Sequence, residues 1–513
     1  MKIKKEILFF TTLILWVFAL AYSANPDYDL WSRLIAGNHF LSYGKLMLHD
    51  IFSYTPTHIW IDHEWGSGIV FSLLLKLSEN INVNPINTFL FFKTLLVFLI
   101  IFFTFLTVKI REPKFSTPYQ ILYFALSLFA ANMVYSSTVR CHMFTFLFFV
   151  LWLFILELYR KKQNNLLLAI LPISMVLWGN LHGGCLSGTG LLLIYSAGEF
   201  LNKKNPFPYL ITAIFSFLAL LINPYGTDYV RFLFEAGTMA RPWITEWQSP
   251  FLTPILHVKF ILFFLFMMIV CLTGIISAKF DIKNCDKTKF FTLTATAMLS
   301  ASFIKLIPFF VISASVFMFD DVYKTLKRIK AFSFFTNPEN KVVYAVIIIL
   351  SLGSISSAQG QIPINLKKYP HTPVQFIKEN KISGNLFTDM TYGSFCVYKL
   401  FPQNRIFMDG RYEEVYNPDL LITMKNFIKQ EGENPDAVIK DFQTDIVLLN
   451  IPVSGIILPA EKSLKKMKWK EIYSDSFWKI YVRPDYPIKN FKQIDFNPKN
   501  TMNTMFDTEI TDI

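Results

Sequence analysis

Apolar residues run along this chain in blocks of roughly 17 to 25, the length that crosses about 30 Å of hydrocarbon at 1.5 Å per residue, with short basic or polar connectors between them. The pattern predicts about 11 transmembrane helices, near 6–23, 85–108, 117–135, 143–159, 165–180, 185–200, 208–222, 258–278, 290–304, 306–319 and 340–357. Segment 65–79 (WGSGIVFSLLLKLSE) is apolar but short, and reads as a helix lying along the membrane surface or as a re-entrant piece. After residue 357 the pattern changes. NLFTD, RIFMDG, DIVLLN, KEIYSD and WKIYVR predict strands, and MKNFIKQEGE and PDAVIKDF predict helices between them. The expected organisation is an α-helical polytopic membrane bundle over 1–357 with a large first outer loop at 24–84. A small extracytoplasmic α/β domain at 358–483 and an irregular tail at 484–513 follow it. No internal repeat is visible.

Composition agrees with a bilayer setting: 53% of the residues are hydrophobic, 17% are aromatic, and the mean hydropathy is +0.39. The net charge of +12 is spread in short clusters between apolar blocks. It serves anchoring and orientation, and no nucleic-acid partner is expected. With the N-terminus inside, the inner connectors hold Lys109, Arg111 and Lys114; Arg160 to Lys162; Lys203 and Lys204; Lys279 to Lys289; and Lys324 to Lys330. Counting 65–79 as a crossing would invert every later loop and destroy this asymmetry. The same register places 24–84, the turns at 139–142 and 181–184, the 223–257 loop and everything after Gln359 outside. An integral membrane protein with its N-terminus inside is expected. The start resembles a signal peptide, with cleavage sites after Ala21 or Ala24, but it is long enough to span, and the later helices orient consistently when it stays. Five cysteines without C-x-x-C spacing imply neither a zinc site nor a disulfide framework.

The outer segments carry the chemistry. Asn25-Pro26-Asp27-Tyr28-Asp29-Leu30-Trp31-Ser32-Arg33 sets two carboxylates at a membrane boundary, where they serve as helix caps, ion ligands or general bases. Trp60-Ile61-Asp62-His63-Glu64-Trp65 offers a His-Glu pair, although sequence neighbours point apart and joint metal ligation by them is not favoured. Arg140 with His142, Asn180 with His182, and Arg241 with Glu246 and Trp247 follow, and Lys305 is a further cation. Cations at this boundary suit the phosphate of an anionic lipid, although an arginine there also snorkels for structural reasons. Nearly all eight histidines fall on the outer side. In the C-terminal domain Asp389, Asp409 and Arg411 draw notice, but Asp409-Gly410-Arg411 is most simply a turn after a strand.

In order, D-x-D-L-W, G-N-H-F-L-S-Y-G-K, D-I-F-S-Y-T, W-I-D-H-E-W, V-R-C-H, W-G-N-L-H-G-G, N-P-Y-G, E-W-Q-S-P and R-I-F-M-D-G-R-Y cover most of the chain. The series resembles a bacterial membrane-protein family related to the GT-C glycosyltransferases, the superfamily of protein O-mannosyltransferases, oligosaccharyltransferase catalytic subunits and lipid A aminoarabinose transferases. The resemblance implies a GT-C-like fold, a polyprenyl-phosphate-linked sugar as donor, and a glycan, lipid or protein acceptor. It implies Asp29 or Asp27 as the catalytic carboxylate, with Asp29 preferred. Arg140 and His142 would hold the donor phosphate, and His63, Glu64, His182 and Glu246 would line the pocket. V-R-C-H stands where relatives carry Arg-Pro, which keeps the arginine and alters the local backbone. A divalent metal is optional in the superfamily, so no cofactor is implied.

Two other classes compete. A transporter or flippase of lipid-linked saccharides also needs outer cations, but it places ionisable residues near mid-membrane and in paired repeats, and the spans here are largely free of charge. A non-catalytic scaffold with an outer binding domain would not need so many spans or polar turns gathered on one side.

Overall fold

The computed structural model describes residues 2–21, 25–113, 138–241, 244–251, 285–321, 341–358, 369–451, 457–488, 490–494 and 504–508, with isolated positions between these runs. The expected spans near 117–135 and 258–278 lie almost wholly outside the described residues. In chain order the longer helices are α1 (Lys2–Ala21), α2 (Leu30–Tyr43), α3 (Trp65–Asn80), α4 (Pro85–Arg111), α5 (His142–Lys162), α6 (Asn165–Leu181), α7 (Leu186–Leu201), α8 (Phe207–Ala219) and α9 (Thr227–Thr238). Then come α10 (Lys287–Ser302), α11 (Ile307–Phe317), α12 (Lys341–Ala358), α13 (His371–Glu379), α14 (Met390–Leu400), α15 (Pro418–Lys429) and α16 (Pro459–Lys466). The chain forms two compact units, one of residues 1–24 with 89–363 and the other of 25–88 with 364–513. The first loop thus shares its unit with the C-terminal segment, where the sequence grouped it with the membrane helices.

In the first unit, Pro85–Arg111, His142–Lys162 and Gly183–Leu201 are long and apolar enough to cross a membrane, and Asn165–Leu181 and Phe207–Ala219 are among the shorter apolar helices. Helix α6 packs on α8, α7 on α8 and α10, α10 on α11, and α1 on α12. Close approach depends on small residues: a Cβ at Gly188 of α7 would come within 2.6 Å of the Trp178 ring and 2.9 Å of the Trp152 ring. Along α10 the hydroxyls of Thr292, Thr296 and Ser300 are buried and donate to carbonyls one turn back at 2.6–2.8 Å, which satisfies them inside an apolar bundle. Arg160, expected only as an inner anchor, pairs with Glu157 at 3.1 Å, Glu199 at 2.8 Å and Asp286 at 3.0 Å, and so ties together the ends of α5, α7 and α10.

The second unit is built on a five-stranded sheet of β1 (Gly384–Phe387), β2 (Asn404–Ile406), β3 (Ile446–Asn450), β4 (Lys470–Ser474) and β5 (Trp478–Val482), in the order β2-β1-β3-β5-β4. Strand β1 runs parallel to β2 and β3, and β5 antiparallel to β3 and β4. The five runs predicted as strands each overlap one of them. The first loop covers the β2 edge: Ile406 N–H donates to Phe52 O at 2.9 Å and Tyr54 N–H to Ile406 O at 3.0 Å. A sheet edge otherwise exposed is thereby paired. Helix α2 crosses α3 where Gly37 meets Gly68, with no room for a side chain on either. It also packs on α14, where Trp31 is fully buried against Phe395, Tyr398 and Phe506 at 5.0–5.2 Å between ring centroids. Phe506 comes from the segment expected as an irregular tail. There Lys399 Nζ donates to Thr504 O and Asp507 O, both at 2.5 Å, and Tyr398 OH donates to Phe506 O at 2.7 Å. The architecture is the expected one in kind: a helix-rich, membrane-type bundle with a small mixed sheet.

Candidate functional site

The two acidic residues ahead of α2 have different surroundings. Asp27 is buried and its Oδ1 accepts the Asp29 N–H at 3.2 Å, while its carbonyl accepts the Leu30 N–H at 3.1 Å; it closes the turn that starts the helix. Asp29 holds the N-cap position with φ −77° and ψ −17°, and its side chain makes no capping bond to its own helix. The sequence left capping open to either residue; the side chain that closes the turn is that of Asp27. The Asp29 carboxylate instead lies against Gly410, at the N-terminus of α2, where the partial positive charge of the helix end attracts an anion.

One turn further along α2, Arg33 is buried among three carboxylates. Its guanidinium meets Asp62 at 2.5 Å and Glu64 at 2.8 Å, and Glu414 closes on it with both oxygens. His63 Nδ1 pairs with Glu414 at 2.9 Å, and Trp60 Nε1 donates to Glu414 at 2.6 Å. Burial pushes the Asp62 carboxyl up, and Arg33 only partly offsets it. Burial would also raise Glu414, but Arg33 and His63 outweigh it and hold that carboxyl well below the usual range. Burial would lower His63, but Glu64 and Glu414 outweigh it and raise the imidazole to about 9. His63 and Glu64, expected to line a substrate pocket, are thus engaged in an ion network within this unit.

Arg411 forms a second buried centre, pairing with Asp50 at 2.7 Å and Asp409 at 3.0 Å, with Trp60 at 4.6 Å and Phe52 at 5.3 Å from its guanidinium carbon. Asp409 Oδ1 also accepts the Arg411 N–H at 3.0 Å. The D-G-R segment is therefore a turn, as its residues suggest, and also the anchor of residues 50–60.

In the first unit, Arg140 pairs with Glu246 at 2.5 Å. The next residue, Trp247, carries two cations on its ring, the Arg241 guanidinium at 4.2 Å and the Lys305 ammonium at 4.8 Å. His142 heads α5 with its ring edge-on to Phe146 at 5.2 Å. His182 Nδ1 accepts the Gly184 N–H at 2.9 Å and lies 2.8 Å from Thr145 Oγ1, which itself accepts from Trp178 Nε1 at 3.0 Å. An amide N–H can only donate, so Nδ1 is the acceptor and the ring proton of neutral His182 sits on Nε2. Among the described residues no group of three or more His, Cys, Asp or Glu side chains is arranged to hold a metal ion.

No protein-family model matches the chain, and no curated protein matches it. Solved structures do. The apo oligosaccharyltransferase of Archaeoglobus fulgidus aligns with a TM-score of 0.58 at 12% identity, over 94% of this chain and 75% of that one. The archaeal oligosaccharyltransferase AglB from the same organism, in complex with an inhibitory peptide and a dolichol-phosphate, gives 0.56 at 11%, over 95% and 75%. Apo ArnT from Cupriavidus metallidurans gives 0.52 at 11%, over 94% and 98%. The fold is GT-C-like. At these identities the likeness is one of backbone architecture, and residue roles rest on this chain's own geometry.

Within the GT-C-like fold, the sequence-predicted residues fall into two sets: Asp27, Asp29, His63 and Glu64 in one unit, and Arg140, His142, His182 and Glu246 in the other. The first set offers a carboxylate at a helix N-terminus beside a buried ion network, and the second offers the Arg140–Glu246 pair next to Trp247, on whose ring Arg241 and Lys305 rest. Sequence reasoning missed Glu414 and Gly410. The buried Glu414 stands one residue beyond D-G-R-Y, after Glu413 and before Val415 and Tyr416, and a carboxylate leading into an apolar and aromatic pair was the signal that could have found it.

Proposed function

We propose that this protein is an integral membrane glycosyltransferase of the GT-C type, moving a sugar from a polyprenyl-phosphate donor to an acceptor on the extracytoplasmic face. The supporting observation is the GT-C-like fold over 94% of the chain, in which a first-loop carboxylate, Asp29, escapes the capping role its position offers. In this reading Asp29 takes the proton from the acceptor hydroxyl as that oxygen attacks the anomeric carbon. The bond from that carbon to the phosphate oxygen breaks, and the departing polyprenyl phosphate takes its electron pair. Arg140, paired with Glu246, and Arg241 and Lys305, on the Trp247 ring, receive the growing negative charge of the leaving phosphate. His182, fixed as the Nε2–H tautomer, is a hydrogen-bond donor for a sugar or phosphate oxygen. The basic connectors favour an N-terminus inside and a C-terminal domain outside, and the resemblance to a bacterial family makes the membrane the bacterial inner membrane in this reading.

The test uses the full-length protein in nanodiscs with a panel of polyprenyl-phosphate hexoses and pentoses, reading released polyprenyl phosphate. Asp29→Asn is expected to lower turnover about 1000-fold at unchanged Tm, and Asp27→Asn to act mainly through stability. Wild-type turnover that survives both substitutions overturns the assignment of the base.

A further inference from the structure

We infer that Gly410, in the C-terminal domain, is a positioning residue for Asp29: its missing side chain is the seat into which the carboxylate fits. The inference rests on the reading of Asp29 as the base. A Cβ built on Gly410 would fall far inside van der Waals contact with Asp29 Oδ1 and 3.3 Å from its Cγ. Ser394 Oγ stands 3.9 Å from the same point; it is buried and has no hydrogen-bond partner among the described residues, so the seat is bounded on two sides.

The turn carrying Gly410 is itself held firmly. Gly393 of α14 abuts it so closely that a Cβ there would come within 2.8–2.9 Å of Asp409, and the Asp409–Arg411–Asp50 pairing fixes its other flank. A methyl at 410 therefore cannot be relieved by moving the turn, and the Asp29 carboxylate must yield. Backbone conformation is not what requires glycine here, because Gly410 lies outside the positive-φ positions of the chain. Alanine is compatible with the backbone, and close approach alone selects against it.

The experiment is a double-mutant cycle between Gly410→Ala and changes at Asp29, with Gly237→Ala, which faces open space, as the neutral control. In the stability arm, Gly410→Ala lowers Tm by a few degrees in the wild-type background and has no effect in Asp29→Ala, where the obstructed carboxylate is gone. If the single variant fails to accumulate, accumulation of the double variant is the same positive result. Equal losses in both backgrounds, or failure of both to accumulate, overturn the inference. In the rate arm, Gly410→Ala lowers kcat about 100-fold with the donor KM unchanged, and causes no further loss in Asp29→Asn. A further loss in that background also overturns it. If wild-type protein turns over none of the lipid-linked sugars, the glycosyltransferase reading fails, while the stability arm still decides the geometry.

Discussion

Two arginine-centred charge clusters of this chain reach opposite states. Around Arg33, three buried carboxylates close on one buried guanidinium and the half-buried His63 pairs with one of them, Glu414, so each charge is answered by its neighbours. Around Trp247, Arg140 pairs with the neighbouring Glu246, and Arg241 and Lys305 rest on the aromatic face. A closed network spends its electrostatics on holding segments together, while in the proposed reading the cations at Trp247 are held for an anionic ligand. On that reading, what surrounds an arginine, more than its presence, separates scaffold from binding site.

The largest effect is expected from opening the closed network. Arg33→Met strands Asp62, Glu64 and Glu414 in a buried setting and should cost about 3–5 kcal/mol, read as a large fall in Tm or failure to accumulate. The matching change in the other cluster, Arg241→Met, should leave Tm within a few degrees and weaken inhibition by polyprenyl phosphate about tenfold, a loss of about 1.4 kcal/mol. If Arg241→Met unfolds the protein while Arg33→Met is tolerated, the contrast is reversed.

That contrast was half legible in the sequence. Hydropathy blocks and basic connectors conveyed a membrane bundle because spanning length and charge placement are local properties of the chain. Alternating short runs conveyed the sheet for the same reason. The motifs W-I-D-H-E-W and D-x-D-L-W marked residues that the fold does use, but their roles depend on partners far along the chain. Glu414 reaches Arg33 across 381 positions, and Phe506 packs on Trp31 from a segment without periodicity. Nothing near His63 says that its neighbours will be Glu414 and Arg33 instead of a sugar. The difference between Asp27 and Asp29 was equally hidden, since it turns on which side chain bends back to the helix start.

Titration sharpens the comparison from the closed side. Because Glu64 and Glu414 hold His63 up at about 9, its charge stabilises the fold fully below its ordinary value of 6.5, and that contribution is lost as pH rises through about 9. Lys399 runs the other way: burial lowers it to about 7, so its cost is complete below that pH and fades as pH climbs toward 10.5. The two partly cancel in the wild-type curve, and a variant is needed to separate them. His63→Gln should destabilise by about 2–3 kcal/mol at pH 6 and by progressively less toward pH 9, measured by unfolding of the purified protein at both values. A pH-independent loss would mean that packing, and not charge, is what His63 contributes.

The smallest expected effect probes the open cluster without touching a charge. Trp247→Leu keeps Arg140, Arg241 and Lys305 but removes the ring on which two of them rest. A cation over an aromatic face gains roughly 0.5–1 kcal/mol at an exposed site and about 2 kcal/mol when desolvated. Here the gain lies in holding the cations ready, so its loss should appear as about fivefold weaker inhibition by polyprenyl phosphate with Tm almost unchanged. Trp247→Phe, which restores a ring with a weaker face, should recover part of that loss. Equal weakening by both variants would show that the indole acts by shape alone, and the cations would then depend on the Arg140–Glu246 pair for their order.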